Sequence, residues 1–456
     1  MKLYEPVGFS RNIGIPQLRR TCARYVLILA SSASLMSFSA QGLAQDVYGP
    51  PVPPEMRSEV ANLPPPPAIP DRLAELSSQA VETYPAISAA ESAIRASSAD
   101  VRAAKWLRFP SVSVGTRMDG GQIGNLDPQL TIEQPLWAGG RITGSIDRAE
   151  ASRSVAIAQL EETAQEIALQ VINAYFDYVR AARRESILRD SLAEHLRLVE
   201  SMERRVEQEV SPQSDLELAS SRASQVQQQL SVTTAQTYSS LQRLSELTGR
   251  EIVGPLAVPE YAPGLHHPTT DDMVVQALSC DPRRRRLTAE IDIAEAERKI
   301  ANASILPQLN LQFSHDDVFG SRFGLVLTAQ TNGGLSGFAQ AEAARLRRES
   351  SELQVIVAER ELRELVLLDV VENVTSSATI DSSAAAALSS ATVTESFVRQ
   401  FITGRRTWLD VMNAVRESTS AQITLVDAET TAMVSTARLL LRTCKWRPEL
   451  MDNNDD

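Results

Sequence analysis

Apolar side chains recur every three or four residues along two very long stretches, about 144–210 and about 338–443, which is the spacing of one helix face. In the first stretch, steps of four and three alternate without a proline. A sustained seven-residue period predicts a coiled-coil seam, and at ~1.5 Å per residue this helix would run roughly 100 Å. The seam comprises Leu160, Ala164, Ile167, Val171, Ala174, Tyr178, Ala181, Leu188, Leu192, Val199, Met202 and Val206, and only Glu185 and His195 break the series.

The second helical stretch is interrupted once, at Gly404, which can adopt the left-handed conformation that closes a helix. Thr407 is a suitable N-cap, and Asp410 follows at the spacing of a capping box. The pattern therefore predicts two long helices that meet in a tight hairpin. The turn of this hairpin carries Arg405 and Arg406.

Four short segments change from a helical period to strict alternation of apolar and polar residues, which predicts strands with one apolar face. Each has about nine residues, the length of a tilted transmembrane strand. Each pair of segments follows a helical stretch that ends just before a proline. The strands are expected at about 110–118, 129–136, 307–315 and 322–330.

Matching landmarks recur at one offset, which indicates an internal duplication. Four pairs of different residue types hold separations of 194 to 197 residues. The repeated unit is helix, strand, strand, long helix, turn and shorter helix, with boundaries at about 71–260 and 261–445. The pairs are Pro85 with Pro282, Pro110 with Pro307, Gly139 with Gly333, and Asp215 with Asp410.

The N-terminus has the features of a secretory signal over residues 1–44. Arginines precede an apolar run at 25–38, which is too short for a membrane-spanning helix, and Gly42-Leu43-Ala44 fits a cleavage site. Residues 45–70 are rich in proline and predict a stiff, extended linker. Residues 446–456 predict a disordered acidic tail.

Composition excludes several classes of function. The net charge of -12 argues against a nucleic-acid partner, which requires a basic face. The four histidines are scattered, and no nucleophile, base or phosphate-binding loop is recognisable, so neither an enzyme nor a metal or other cofactor is expected. After signal cleavage Cys280 and Cys444 would be the remaining cysteines, and their spacing does not reveal whether they pair.

The four strands of one chain cannot close a barrel, and an open sheet edge in lipid leaves backbone groups unpaired at several kcal/mol each. Either the sheet lies in water, or several chains complete a barrel; three chains would supply twelve strands. Trp106, Phe109 and Trp137 flank the first strand pair on its helix side. They suit an interfacial aromatic belt, or else a buried core.

The order of these elements and several short motifs resemble the TolC family of bacterial outer-membrane efflux and secretion channels over about residues 70–445. The resemblance implies a mostly α-helical homotrimer in the outer membrane, with a twelve-stranded barrel and a long periplasmic tunnel. It also implies a periplasmic adaptor and an inner-membrane ABC or proton-driven transporter as partners. The motifs are Leu107 to Pro110, Gln134 to Arg141, Val171 to Tyr178, Leu244 to Gly249, and Gly404 to Ala414.

The resemblance also assigns residues to the periplasmic entrance of the channel. Asp410 corresponds to an aspartate that projects into the tunnel, where three copies would form a cation-selecting ring. Asn413 stands where some relatives have a second aspartate, so the ring would carry less charge. The alternative for Asp410 is a helix-capping role alone.

Four further residues complete the predicted gate. Arg406 corresponds to an arginine that holds the entrance closed, with Arg405 beside it, and Asp215 to a partner on the other hairpin. Phe401 replaces a tyrosine of some relatives, so one hydrogen bond would be lost. Alternatively, the arginines lie in a merely solvated turn and Asp215 in a solvated helix start.

The predicted function is a passive exit duct that partner proteins open. The run from Trp408 to Glu417 is similar to the branch that exports large adhesins by type I secretion. Efflux of drugs or other small molecules is the main alternative for the cargo. A soluble periplasmic coiled-coil adaptor or scaffold is the alternative from another class, although such a protein needs no lipid-facing strands.

Overall fold

The computed structural model describes residues 65–118, 126–262, 270–316, 320–329 and 333–448. The predicted signal at 1–44, the linker up to residue 64 and the tail beyond residue 448 lie outside the described residues. Trp446 differs from the expectation of a tail that begins at residue 446. Its side chain is only 4% exposed and packs in the main core, because the chain turns back onto the helices after residue 443.

The described chain is mostly helical, with one small sheet, which confirms the predicted fold class. None of these helices is both long enough and apolar enough to cross a membrane. The elements in chain order are α1 (Asp71–Thr83), α2 (Pro85–Trp106), β1 (Ser111–Met118), β2 (Leu126–Trp137), α3 (Arg141–Glu207), α4 (Gln213–Thr248), α5 (Thr270–Cys280), α6 (Pro282–Ala303), β3 (Gln308–Asp316), β4 (Gly320–Thr328), α7 (Ser336–Ile402) and α8 (Trp408–Arg442).

Two helical hairpins, α3 with α4 and α7 with α8, form the long part of the molecule. Helices α3 and α7 have 67 residues each, so at ~1.5 Å per residue each is roughly 100 Å long. Both follow paired glycines with positive φ, such as Gly140 at 94°, where a residue with a Cβ would be strained. The two halves of the chain therefore repeat one plan, as the constant offset predicts.

The strands form one antiparallel sheet in the order β1-β2-β3-β4. Strand bounds differ from the predicted ones by up to three residues, and β2 contains an irregularity between Pro135 and Trp137. Within the described residues β1 and β4 each have one edge without a strand partner. The sheet of one chain is therefore open on both sides.

The register separates the two faces of this sheet by polarity. One row across all four strands contains Val112, Ile132, Phe313 and Phe323, and Phe323 is 83% exposed. The next row along, on the opposite face, contains Ser113, Thr131, Ser314 and Arg322. On this polar face Asn310 also donates to Glu133, and Arg322 pairs with Asp316.

Apolar burial is concentrated where α3 meets the C-terminal part of α8. Tyr175 and Phe176 are each 1% exposed and lie in contact at a ring-centroid distance of 5.3 Å. The Tyr178 hydroxyl accepts from the backbone amide of Leu256 at 2.8 Å and so holds the segment after α4 against α3. This core fixes the base from which the hairpins extend.

Helix α5 was not predicted, because its apolar residues are too few to establish a period. Met273 and Ala277 bury it against Val366 of α7. A disulfide between Cys280 and Cys444 joins the end of α5 to the segment after α8. The pairing that the sequence left open is therefore present.

Helix α6 is held between α3 and α7 by four consecutive arginines. Successive side chains on a helix are rotated by about 100° around its axis, so four consecutive arginines can reach helices on different sides of α6. Arg283 and Arg284 pair with Glu361 and Glu359 of α7, each at 2.7 Å. The next two arginines, 285 and 286, pair with Glu161 and Glu162 of α3, and the bond to Glu162 raises the pKa of the second guanidinium.

Candidate functional site

The predicted gate residues lie where the turns of the two long hairpins meet. Side chains from α3, α4, α7 and α8 form an apolar cluster there that is separate from the main core. Packing of four helix ends fixes the relative positions of the turns at 208–212 and 403–407. The cluster contains Leu198, Met202, Ala219, Phe401, Val411, Met412 and Val415.

Asp410 completes the capping box that its spacing predicts. Its backbone amide donates to Thr407 Oγ1 at 3.2 Å, and its carboxylate accepts from the Thr407 amide at 3.3 Å. Its side chain is still 40% exposed, so the carboxylate faces solvent while it caps the helix. A helix cap and a charged ring are therefore compatible roles for Asp410 in this geometry.

Asp215 connects the two hairpins through a residue that the sequence did not single out as a partner. It lies in the first turn of α4, where a carboxylate is favoured by the helix dipole, and accepts from the Trp408 indole Nε1 at 2.9 Å. Trp408 begins α8, so this bond joins helix starts that are 193 residues apart in sequence. A single contact between residues so far apart in sequence leaves no repeating pattern, so it could not be predicted from the sequence.

Arg406 packs on its own hairpin instead of reaching Asp215. Its guanidinium lies over the Phe397 ring at 4.3 Å, and its Nε donates to Gln400 at 3.3 Å. The carboxylate of Asp410 is 3.9 Å away, at the limit of an ion pair. Within a single chain, therefore, the predicted pairing of Arg406 with the other hairpin is not present.

A second bridge between the hairpins involves Arg205, which the sequence analysis missed. Its guanidinium lies over the Phe401 ring at 5.0 Å, and this ring is only 5% exposed. With Arg405 and Arg406, it lines an open cavity of about 650 Å³ that contains one carboxylate, Asp410. Among the described residues Arg205 and Arg405 have no ion pair, so the turn is locally basic.

Asn413 does not line this open cavity. Together with Trp408 it lines a second cavity, between α3, α4 and α8. The structure thus brings five predicted residues around the turns and places Asn413 just beyond them. No group of three or more metal-ligating side chains occurs in the part of the chain that is described.

The three aromatic residues near the sheet are all exposed in the single chain. Trp106 and Phe109 are in contact at a centroid distance of 4.9 Å and are 68% and 56% exposed, and Trp137 is 48% exposed. The alternative of a buried core within one chain is therefore excluded. Their place at the helix–strand junctions fits the predicted interfacial belt.

Comparison with known proteins shows which family model and which solved folds this chain resembles. The family model described as outer membrane efflux protein matches residues 76–250. No curated protein matches the chain significantly. The resemblance to TolC-like channels is confirmed at the level of the fold.

Solved structures of similar fold cover most of the chain. The outer-membrane channel OprN is 17% identical with a TM-score of 0.71, over 81% of this chain and 89% of that one. The Campylobacter jejuni channel CmeC is 13% identical with a TM-score of 0.71, over 84% and 87%. The open state of Neisseria gonorrhoeae MtrE is 16% identical with a TM-score of 0.69, over 84% and 91%. At these identities the likeness shows the fold.

The bond between Trp408 and Asp215 is testable by a double-mutant cycle. We expect Trp408→Phe and Asp215→Ala to couple by about 1–3 kcal/mol in the free energy of unfolding, because the acceptor is charged. The measurement is urea denaturation followed by circular dichroism. As a control, Trp408→Phe should be additive with Asp427→Ala, whose carboxylate pairs with Arg184. Additivity in both cycles would contradict a stabilising bond.

Proposed function

We propose that this chain is an outer-membrane efflux channel of the TolC-like class and the passive exit duct of a tripartite export system. The observation that carries the proposal is a four-stranded sheet with one exposed apolar face and two open edges, joined to two helical hairpins of roughly 100 Å. A soluble adaptor or scaffold would leave this apolar face in water at a large free-energy cost.

The open edges support a homotrimer. Lipid offers no hydrogen bonds to an unpaired edge, so β1 of one copy must pair with β4 of the next. Three copies supply twelve strands and close the sheet into a barrel, with the apolar row outward and the polar row facing the lumen. The exposed aromatic residues at the helix–strand junctions would then lie at the periplasmic surface of the membrane.

Helix α7 supplies a second surface for contact between copies. The side of this helix that includes Leu362 and Val366 packs in the chain's own core. On the opposite side, Leu353, Leu368 and Val371 are 57%, 58% and 61% exposed. Apolar exposure along one helix face is typical of an interface, and in a trimer it would seal the wall of the tunnel.

The hairpin turns would form the periplasmic entrance. Three copies of Asp410 would place a carboxylate ring there, with the uncharged Asn413 nearby. The contacts of Trp408 with Asp215 and of Arg205 with Phe401 hold the two hairpins of a chain together. We infer that an adaptor and an inner-membrane transporter open the entrance by separating the hairpins at these contacts, in the region that also carries Arg405 and Arg406.

The proposed cargo is protein exported by type I secretion. The similarity of residues 408–417 to that branch supports it, and an ABC transporter would then be the inner-membrane partner. Drug efflux with a proton-driven transporter is the second candidate. The efflux description of the matching family favours that candidate.

Replacement of Leu368 by lysine tests the trimer. We expect this change to reduce or abolish the trimer on gels run without boiling, because the new charge would be buried without a partner between copies. The conservative control Leu368→Met keeps the apolar surface and should preserve the trimer. A stable trimer for the lysine variant would place the interface elsewhere.

Replacement of Asp410 by asparagine removes its charge and keeps an acceptor in the capping box. The asparagine side-chain oxygen can still accept from the Thr407 amide, so the fold should persist while the preference for cations falls in single-channel recordings. The matched control is Asp100→Asn, at an exposed position of α2, which should leave selectivity unchanged. Equal selectivity of wild type and the Asp410 variant would remove this residue from the ring.

Deletion of the gene distinguishes the cargoes. Loss of proteins from the culture medium with unchanged drug sensitivity is expected for type I secretion. Increased drug sensitivity with normal secretion would instead assign small-molecule efflux. Complementation by the intact gene should restore either phenotype, and recovery of the protein in the soluble periplasm without detergent would contradict both channel functions.

A further inference from the structure

A cavity of about 340 Å³ lies between the two long hairpins, close to their turns, and none of the contacts discussed above fills it. Helices α3, α4 and α8 line it, and it is open on one side. Its volume is in the range of small-molecule sites and is too small for a packed helix. All of its lining residues belong to one chain.

One part of the cavity is apolar. Trp408, Met412 and Ile423 of α8 line it from one side, and Leu218 and Val226 of α4 line it from the other. An aromatic ring and flexible aliphatic side chains accommodate an alkyl or aryl group without losing hydrogen bonds. This part therefore suits the hydrocarbon portion of a ligand.

The charged residues that line the cavity are of one sign. Arg222 and Arg416 are among its lining residues, which include no aspartate or glutamate. Among the described residues Arg222 donates only to the Gln225 side chain, at 3.1 Å, and Arg416 has no ion pair. Other arginines of the long helices, such as Arg183 and Arg184, pair with carboxylates, and the whole chain has a net charge of -12. Two unpaired guanidinium groups here favour an anion.

A buried polar side chain also faces the cavity. His195 lines it, is 3% exposed, and makes a hydrogen bond through Nδ1 to the Ser191 carbonyl oxygen at 2.7 Å. Within the described residues no group bonds its Nε2. Because the carbonyl oxygen accepts from Nδ1–H, Nε2 of a neutral ring is an acceptor, so His195 adds a polar wall to the cavity and the arginines supply the donors for an anion.

We propose that this cavity binds an anionic amphiphile, such as a medium-chain carboxylate. The carboxylate pairs with Arg222 and Arg416, and the chain lies against Trp408 and Met412. A bound molecule contacts α4 of one hairpin and α8 of the other, so it stabilises their contact and opposes their separation. This role rests on the proposed function of the turns as the entrance, and at that entrance the site is a point at which a small molecule regulates opening.

The test uses full-length protein in lipid nanodiscs and the probe 8-bromooctanoate, whose bromine quenches tryptophan fluorescence on contact. Trp106→Phe and Trp137→Phe remove the two exposed tryptophans near the sheet, which leaves Trp408 and the buried Trp446. We expect saturable quenching by the carboxylate and much weaker quenching by the neutral control, 8-bromooctan-1-ol.

Arg222→Gln and Arg416→Gln should each weaken binding of the carboxylate about tenfold, because each removes a charge-assisted bond. Arg416→Lys should retain most of the affinity. The control Arg399→Gln, at a residue that pairs with Glu395 outside the cavity, should bind as the parent does. Circular dichroism checks that each variant is folded.

Three outcomes would overturn the proposal. The first is quenching that rises linearly without saturation, which indicates partition into lipid. The second is equal affinity for the carboxylate and the alcohol, or no effect of either arginine replacement. The third is absence of carboxylate binding while a helical periplasmic partner protects Trp408, which would assign the cavity to a protein interface.

Discussion

The backbone hydrogen bonds of the sheet edges are the constraint on which the proposed assembly depends. Lipid can accommodate an exposed apolar sheet face, but it cannot form hydrogen bonds with the free amides and carbonyls at the edges of β1 and β4. The same strands of other copies can form these hydrogen bonds. In the proposed trimer, three-fold repetition would also bring the helical hairpins of the copies together, so one requirement at the membrane would determine the architecture of the whole tunnel.

The regular parts of this fold were predictable because they repeat. Long α3 and α7 follow from sustained periods, and the four strands follow from alternation. The nearly constant offset between matching landmarks indicated that the same order of elements occurs in both halves of the chain. Helix α5 escaped because 11 residues give too few turns for a period, and its helical state depends on packing against Val366, which lies almost 90 residues away in sequence.

The candidate site likewise contains local features that the sequence predicts and contacts between hairpins that it does not. The capping box of Thr407 and Asp410 is local, so its spacing alone predicted it. The contacts between hairpins are not local: whether Asp215 meets Trp408 or Arg406 depends on how two long helix pairs are aligned. A shift of one residue along a helix moves a side chain by about 100° around its axis, so the sequence gives the residues without their partners.

The contacts between the turns are few and individually weak. A hydrogen bond to a carboxylate contributes about 1.5–3 kcal/mol and a partly exposed cation–π contact about 0.5–1 kcal/mol. Both hairpins are anchored more strongly at the other end by the main core and by the arginine pairs of α6. Separation of the turns therefore requires much less free energy than unfolding of the body.

The disulfide between Cys280 and Cys444 has a consequence for biogenesis. Thiols remain reduced in the bacterial cytosol and are oxidised after export. If the chain is exported as proposed, the link that joins α5 to the segment after α8 would form only after it leaves the compartment where it is made. The chain that crosses the inner membrane would then lack this covalent constraint between α5 and the end of α8.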